Sequence, residues 1–145
     1  KMLAISKKFF NEAIYPIMRP AAIDEVEKHK KSGGKVVILS ASTPYICNPV
    51  GEALGIDGVI CTHLEVKDGK FTGNFASPYI FGEQKHLSAL KYADEHGIDL
   101  KHAYYYGDAF TDRFVMEAVG NPVCETPDRK LRAHAKTNDW RIVEW

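Results

Sequence analysis

Two aspartates four residues apart, Asp108 and Asp112, stand in Gly107-Asp108-Ala109-Phe110-Thr111-Asp112, directly after the apolar run Ala103–Tyr106. The pattern predicts a strand that ends at the first acid and a helix that opens around the second. Like charges at this spacing repel on a helix. A helix N-terminal dipole, a lysine or a divalent cation must offset that repulsion. Oxygen-only ligands suit Mg²⁺, which keeps several waters and needs few protein carboxylates. The ordinary alternative is that Asp112 merely occupies a favourable first turn.

Two further places could do related chemistry. In Leu39-Ser40-Ala41-Ser42 an apolar strand runs into small hydroxyl residues just before a helix. Hydroxyls and free backbone N–H groups at such a point can hold a phosphate, although Ser and Thr are also common helix caps. In Gly82-Glu83-Gln84-Lys85 a lysine sits in a helix's first turn, on the unfavourable side of the dipole. It could point at anions there, or be a plain surface lysine.

Alternating elements must position these residues. Residues 3–15 carry apolar positions at helical spacing and stop at Pro16. A second helix starts near Pro20 and ends at Gly33-Gly34. Val36–Leu39 reads as a strand buried on both faces. Thr43-Pro44 predicts an N-cap with proline at N1, opening a helix that runs to Gly55. Gly58–Cys61 is a strand. Leu64–Lys67, Asp68-Gly69 and Lys70–Gly73 read as a hairpin with a type I′ turn. Gly82–His96 is helical, and Ala103–Tyr106 is a buried strand. A helix covers about 111–119, and Pro122–Cys124 is a short strand. Pro127 is placed at N1 of a helix over 128–137, and Ile142-Val143 is a terminal strand. The sum is an open α/β sheet with helices on both faces, where ligands bind at the carboxyl ends of strands.

Composition narrows the classes. The chain has 145 residues, enough for one domain, and its formal charge is zero, which gives no long-range pull toward nucleic acid or an anionic membrane. The basic run Lys28–Lys31 reads as the solvated end of a helix. No stretch approaches the ~20 apolar residues of a membrane span, and no signal peptide is visible. Cys47, Cys61 and Cys124 are far apart in apolar surroundings and read as buried free thiols. The histidines form no HxH or HxxxH pair. These features predict a cytoplasmic protein.

A strand-end serine, a later lysine and a strand-end GDxxxD, in that order, resemble motifs II, III and IV of the haloacid dehalogenase-like (HAD) phosphatases. Val36–Ser42 (VVILSAS), Leu54–Thr62 (LGIDGVICT), the hairpin to Gly73, Tyr106–Gly120 (YGDAFTDRFVMEAVG) and Asn121–Arg132 (NPVCETPDRKLR) are similar to the branch that contains phosphoserine phosphatase. The resemblance runs from about Arg19 to Trp145. It implies a Rossmann-like, mostly parallel core and Mg²⁺-dependent hydrolysis of a small phosphomonoester. Ser40, with Ala41 beside it, would bind the transferring phosphoryl group, and Lys85 would offset its charge. Asp108 would ligate Mg²⁺. Asp112 would support the metal or the lysine. Relatives often carry Asn before the second acid, where this chain has Thr111.

The family's nucleophile is the first aspartate of a DxDx[TV] motif, which forms an aspartyl-phosphate, and the second acid protonates the leaving group. No D-x-D occurs in these 145 residues, and Asp24 lies in the helical IDEVE. The chain opens on Lys1 rather than Met. We therefore expect that it starts within a longer coding sequence, after processing or after a tag remnant. On that expectation residues 1–18 are the remnant of a helical cap and residues 19–145 a core without its central first strand. Unpaired interior edges recruit other strands. The expected state is a strand-swapped or oligomeric chain, or one paired with an N-terminal segment, and inactive alone. A non-catalytic interaction or regulatory fragment is the alternative. A receiver domain fits less well, because its paired acids stand near the start of the chain.

Overall fold

A computed structural model describes all residues, Lys1–Trp145, and the chain divides into two compact units, Lys1–Ile80 and Phe81–Trp145. In the first unit, α1 (Met2–Phe9) continues as a π turn over Phe10–Ile14 and a 3-10 turn over Tyr15–Ile17. The expected helix is therefore helical throughout but changes winding at Phe10. Pro20 forces Arg19 into extended backbone (φ −76°, ψ 123°) and then serves as N1 of α2 (Pro20–Lys31). β1 (Val37–Leu39) pairs in parallel with β2 (Gly58–Ile60), and α3 (Pro44–Leu54) connects them. The other edge of β1 carries no ladder. The hairpin of β3 (Leu64–Lys67) and β4 (Lys70–Phe75) turns at Asp68 and Gly69, both at positive φ (51° and 73°), as a type I′ turn requires.

The second unit holds α4 (Glu83–His96), β5 (Tyr104–Gly107), α5 (Arg113–Ala118), β6 (Asn121–Glu125), α6 (Arg129–Thr137) and β7 (Arg141–Val143). Its three strands form one parallel sheet in the order β5-β6-β7. The core is Val115 and Met116 from α5, Val123 and Cys124 from β6, and Leu131 and Ala135 from α6, all close to fully buried. Gly120 enters β6 where a methyl group would lie 1.7 Å from the carbonyl oxygen of Lys101. The architecture is α/β, with parallel sheets and helices on both sides, as the alternation of elements predicts. No helix is long and apolar enough to cross a membrane.

Several local expectations need correction. β1 is only half-buried and begins at Val37, and Tyr104 at the start of β5 is exposed. Continuous apolar character therefore did not guarantee two covered faces. Thr43 occupies the N-cap of α3 but its side chain makes no capping bond. At α6 the cap is Asp128, whose carboxylate accepts the Leu131 N–H, so Pro127 lies outside the helix and not at N1. Lys30, read as part of a solvated helix end, donates its ammonium to the Leu54 carbonyl at 3.0 Å and so satisfies the last turn of α3. The three cysteines are buried free thiols, as expected.

Candidate functional site

The candidate residues divide between the two units: Ser40 and Ala41 follow β1 in the first, whereas Lys85, Asp108 and Asp112 belong to the second. Ser40 extends the β1–β2 ladder by one bond, donating its N–H to the Ile60 carbonyl at 2.9 Å. Its Oγ accepts the Ser42 N–H at 3.0 Å, which curls the chain through Ala41 toward α3. The Ser42 carbonyl in turn accepts the Thr62 N–H at 2.9 Å. The Ser40 side chain is also hydrogen-bonded to Cys47. Burial pushes the Cys47 thiol up from its ordinary value, while the Ser40 hydroxyl pulls it back. Burial and the neighbouring Cys47 push Cys61 up to about 11. Cys47 is thus a neutral partner of the serine, and Cys61 is a neutral partner of Cys47.

In the second unit, β5 delivers Asp108 and a 3-10 turn over Phe110–Asp112 delivers Asp112. Lys85 reaches Asp112 from the first turn of α4. Its Nζ donates to Asp112 Oδ1 at 2.7 Å, with the two side chains only 14% and 6% exposed. Asp112 Oδ2 accepts the Ala109 N–H at 3.4 Å. Tyr105 donates its hydroxyl to Asp112 Oδ1 at 3.3 Å, and Lys85 Nζ lies 3.5 Å from that hydroxyl. Burial, and then the charge on Asp112, raise the Tyr105 phenol well above its usual value, so it stays protonated and donating. Gly107 leaves room for this cluster: a methyl group there would sit 2.9 Å from Tyr105 Cε1 and 3.1 Å from Asp112 Oδ2.

The repulsion anticipated between the two acids is therefore met by a lysine on Asp112. Asp108 differs from it. Its residue is exposed and its carboxylate has no hydrogen-bond or ion-pair partner in the structure. Its backbone carbonyl is fixed instead, accepting the Asp128 N–H at 2.8 Å. A hard, accessible oxygen donor at the carboxyl end of a parallel strand fits a divalent cation such as Mg²⁺. Asp112, with both oxygens engaged, fits an orienting role beside it.

Sequence reasoning missed Tyr105 and Asp128. Tyr105 lay inside a run of three tyrosines that read as strand filler, and only the alternation of faces separates it from Tyr104 and Tyr106. Asp128 was legible, since an acid three residues before Leu131 is a capping signature, but Pro127 drew the helix start one residue early. Backbone N–H groups of Leu131 and then Phe110 hold the Asp128 carboxyl below its ordinary value. Its folded pKa therefore lies below the unfolded one. The stabilisation is complete above the unfolded value near 4 and fades as pH falls through the folded value. Asp128→Asn is expected to close its stability gap to the parent as pH drops from about 5 to about 2. Urea midpoints across that range measure this, and a gap independent of pH would contradict it.

The haloacid dehalogenase-like hydrolase family profile matches residues 3–117. A probable phosphatase of Mycobacterium tuberculosis is 36% identical over 143 residues, covering 96% of this chain and 50% of its own length. The chain thus spans about half of that relative. A crystal structure from Bordetella pertussis, of a protein described as having unknown function, superposes with a TM-score of 0.90 at 26% identity, covering 97% of this chain and 65% of that one. A substrate-bound phosphoserine phosphatase superposes with a TM-score of 0.71 at 25% identity, over 86% of this chain and 57% of that one.

Proposed function

Because the chain belongs to the haloacid dehalogenase-like hydrolase family, we propose that it forms part of a Mg²⁺-dependent phosphatase acting on a small phosphomonoester. The observation that carries this reading is the division of labour between the two acids. Asp112 is buried on Lys85 while Asp108 is exposed and free to ligate a cation. Mg²⁺ held by Asp108 would supply positive charge to the phosphoryl oxygens. Lys85, fixed by Asp112 and Tyr105, would present a second positive charge with no reorganisation at the moment of transfer. Ser40 and the backbone N–H of Ala41 would hydrogen-bond the phosphoryl group. The D-x-D nucleophile and general acid are not among these residues. This chain therefore provides binding and charge neutralisation, and the aspartyl-phosphate would form on a partner segment.

The zero formal charge favours a small phosphorylated substrate over nucleic acid or a membrane surface, and three free buried thiols suit the cytoplasm. The unladdered edges of β1 and β5 favour completion by an N-terminal segment, by strand swapping or by homo-oligomerisation. A second reading, a non-catalytic fragment that acts through such association, rests on the missing D-x-D.

An aryl phosphate with Mg²⁺ tests both readings. The 145-residue chain alone is expected to be inactive, and turnover by it would refute the assignment of the nucleophile to another segment. Supplied with a D-x-D-bearing strand segment, it is expected to turn over, and Asp108→Asn to lower kcat about 10²–10³-fold, as loss of one charge-stabilising group does. Activity that survives Asp108→Asn removes the metal assignment. Inactivity of the completed assembly favours the non-catalytic reading. A compact monomer on size-exclusion chromatography would count against the association.

A further inference from the structure

The Asp108 carboxylate makes no hydrogen bond or ion pair, and its one side-chain influence is its charge acting on the Tyr105 hydroxyl, so its placement depends on its backbone. That backbone is tied to one residue from the far side of the neighbouring strand. The β5–β6 ladder ends with Gly107 opposite Cys124. Beyond it the chain after β6 turns back through Thr126, whose φ of 41° is an uncommon conformation for a β-branched residue. The Thr126 N–H is anchored on the Val143 carbonyl at 2.8 Å. The turn brings Asp128 against the Asp108 loop at two points. Its N–H donates to the Asp108 carbonyl at 2.8 Å, and its Oδ2 accepts the Phe110 N–H at 2.9 Å. Its Oδ1 caps α6 through the Leu131 N–H at 2.8 Å.

A helix cap needs one carboxylate oxygen. Here the second oxygen is engaged by an N–H eighteen residues away, in the loop that carries Asp108. Resting on the reading of Asp108 as the metal acid, we infer that Asp128 is a positioning residue. It clamps the 108–110 loop from both ends and so fixes the direction in which Asp108 presents its carboxylate. Neutral or shorter side chains cannot accept both N–H groups with a shared charge. An Asn retains one acceptor oxygen, and an Ala none.

The experiment compares Asp128→Ala and Asp128→Asn with a control cap, Asp99→Ala, in the full chain. Asp99 accepts the Lys101 N–H at 3.0 Å at the start of another turn in the same unit and touches none of the candidate residues. Mg²⁺ affinity is measured by calorimetry, and hydrogen exchange of the Phe110 amide by NMR. Asp128→Ala is expected to weaken Mg²⁺ binding roughly 10- to 100-fold, as loss of an outer-shell partner does. Asp128→Asn should fall between, and Asp99→Ala should stay within about twofold of the parent. Unchanged Mg²⁺ affinity in Asp128→Ala overturns the inference, and so does an equal loss in Asp99→Ala, which would mark general loosening. If Asp128→Ala does not fold, Asp128→Asn carries the same comparison. If the parent binds no Mg²⁺, the metal reading of Asp108 fails by itself. The clamp is then judged on Phe110 exchange, expected to accelerate tenfold or more in Asp128→Ala but not in Asp99→Ala. Unaltered exchange overturns it.

Discussion

Lys85→Met is expected to lower the stability of the folded chain by about 3–5 kcal/mol, the usual penalty for stranding one member of a buried ion pair. The lysine is 14% exposed and Asp112 only 6%, so water cannot take over the ammonium's place. Tyr105 remains as one neutral donor to Oδ1, which is too little to compensate a full charge. Asp112→Asn should also destabilise, by leaving the ammonium in the same enclosure. The double substitution Lys85→Met/Asp112→Asn should lose clearly less than the sum of the singles, because no unpaired charge remains. Urea melts at neutral pH give all three values. Lys91→Met provides the contrast: Lys91 and Glu95 are 4.0 Å apart with side chains 79% and 56% exposed, and the expected change is within about 0.5 kcal/mol. A loss below about 1 kcal/mol for Lys85→Met would mean that the pair is solvated, and would weaken the case for a preorganised cation beside the substrate.

Gly120→Ala is expected to be nearly as severe. The added methyl group would lie 1.7 Å from the Lys101 carbonyl oxygen and 2.7 Å from its carbon. These are backbone atoms and cannot turn aside as a side-chain tip would. The same carbonyl stretch is held to the glycine, because the Gly120 N–H donates to Leu100 at 2.9 Å. Either that bond breaks or the entry into β6 shifts against a core in which Val123 and Cys124 are almost completely buried. A penalty of about 3 kcal/mol is the upper part of the range for overpacking. It corresponds to a fall in Tm of roughly 6–12 °C for a chain of this size. Differential scanning calorimetry measures it, and a fall of under about 2 °C would show that the loop at 100–102 yields freely.

The sequence was most informative where local chemistry leaves few choices. Pro20, Gly55, Asp68-Gly69 and Gly97 set boundaries because each fixes a dihedral angle that other residues adopt reluctantly. The strand ends at Ser40 and Asp108 were legible because polar residues stop short apolar runs. Lys85 stood out as a charge on the wrong end of a helix, and the structure supplies the reason, a buried carboxylate across the unit. What the sequence hid depends on side chains meeting across strands. Nothing in Tyr104-Tyr105-Tyr106 says which hydroxyl turns inward. Nothing in Asp108 and Asp112 says that one would be buried and the other exposed. The split between the two acids is set by which of them the α4 lysine reaches, a tertiary fact without a local signature.

The exposure of β4 gives the polypeptide an order of vulnerability to cleavage. All six residues from Lys70 to Phe75 are exposed, and Phe71 and Phe75 remain 46% and 56% accessible. Opening this hairpin removes little buried surface, so a protease that prefers aromatic residues can cut there from the native state. Bonds in β6, flanked by Val123 and Cys124 at 2% and 0% exposure, become available only after the second unit unfolds. Limited chymotrypsin treatment should therefore nick the chain between residues 70 and 76 long before it cuts within β6.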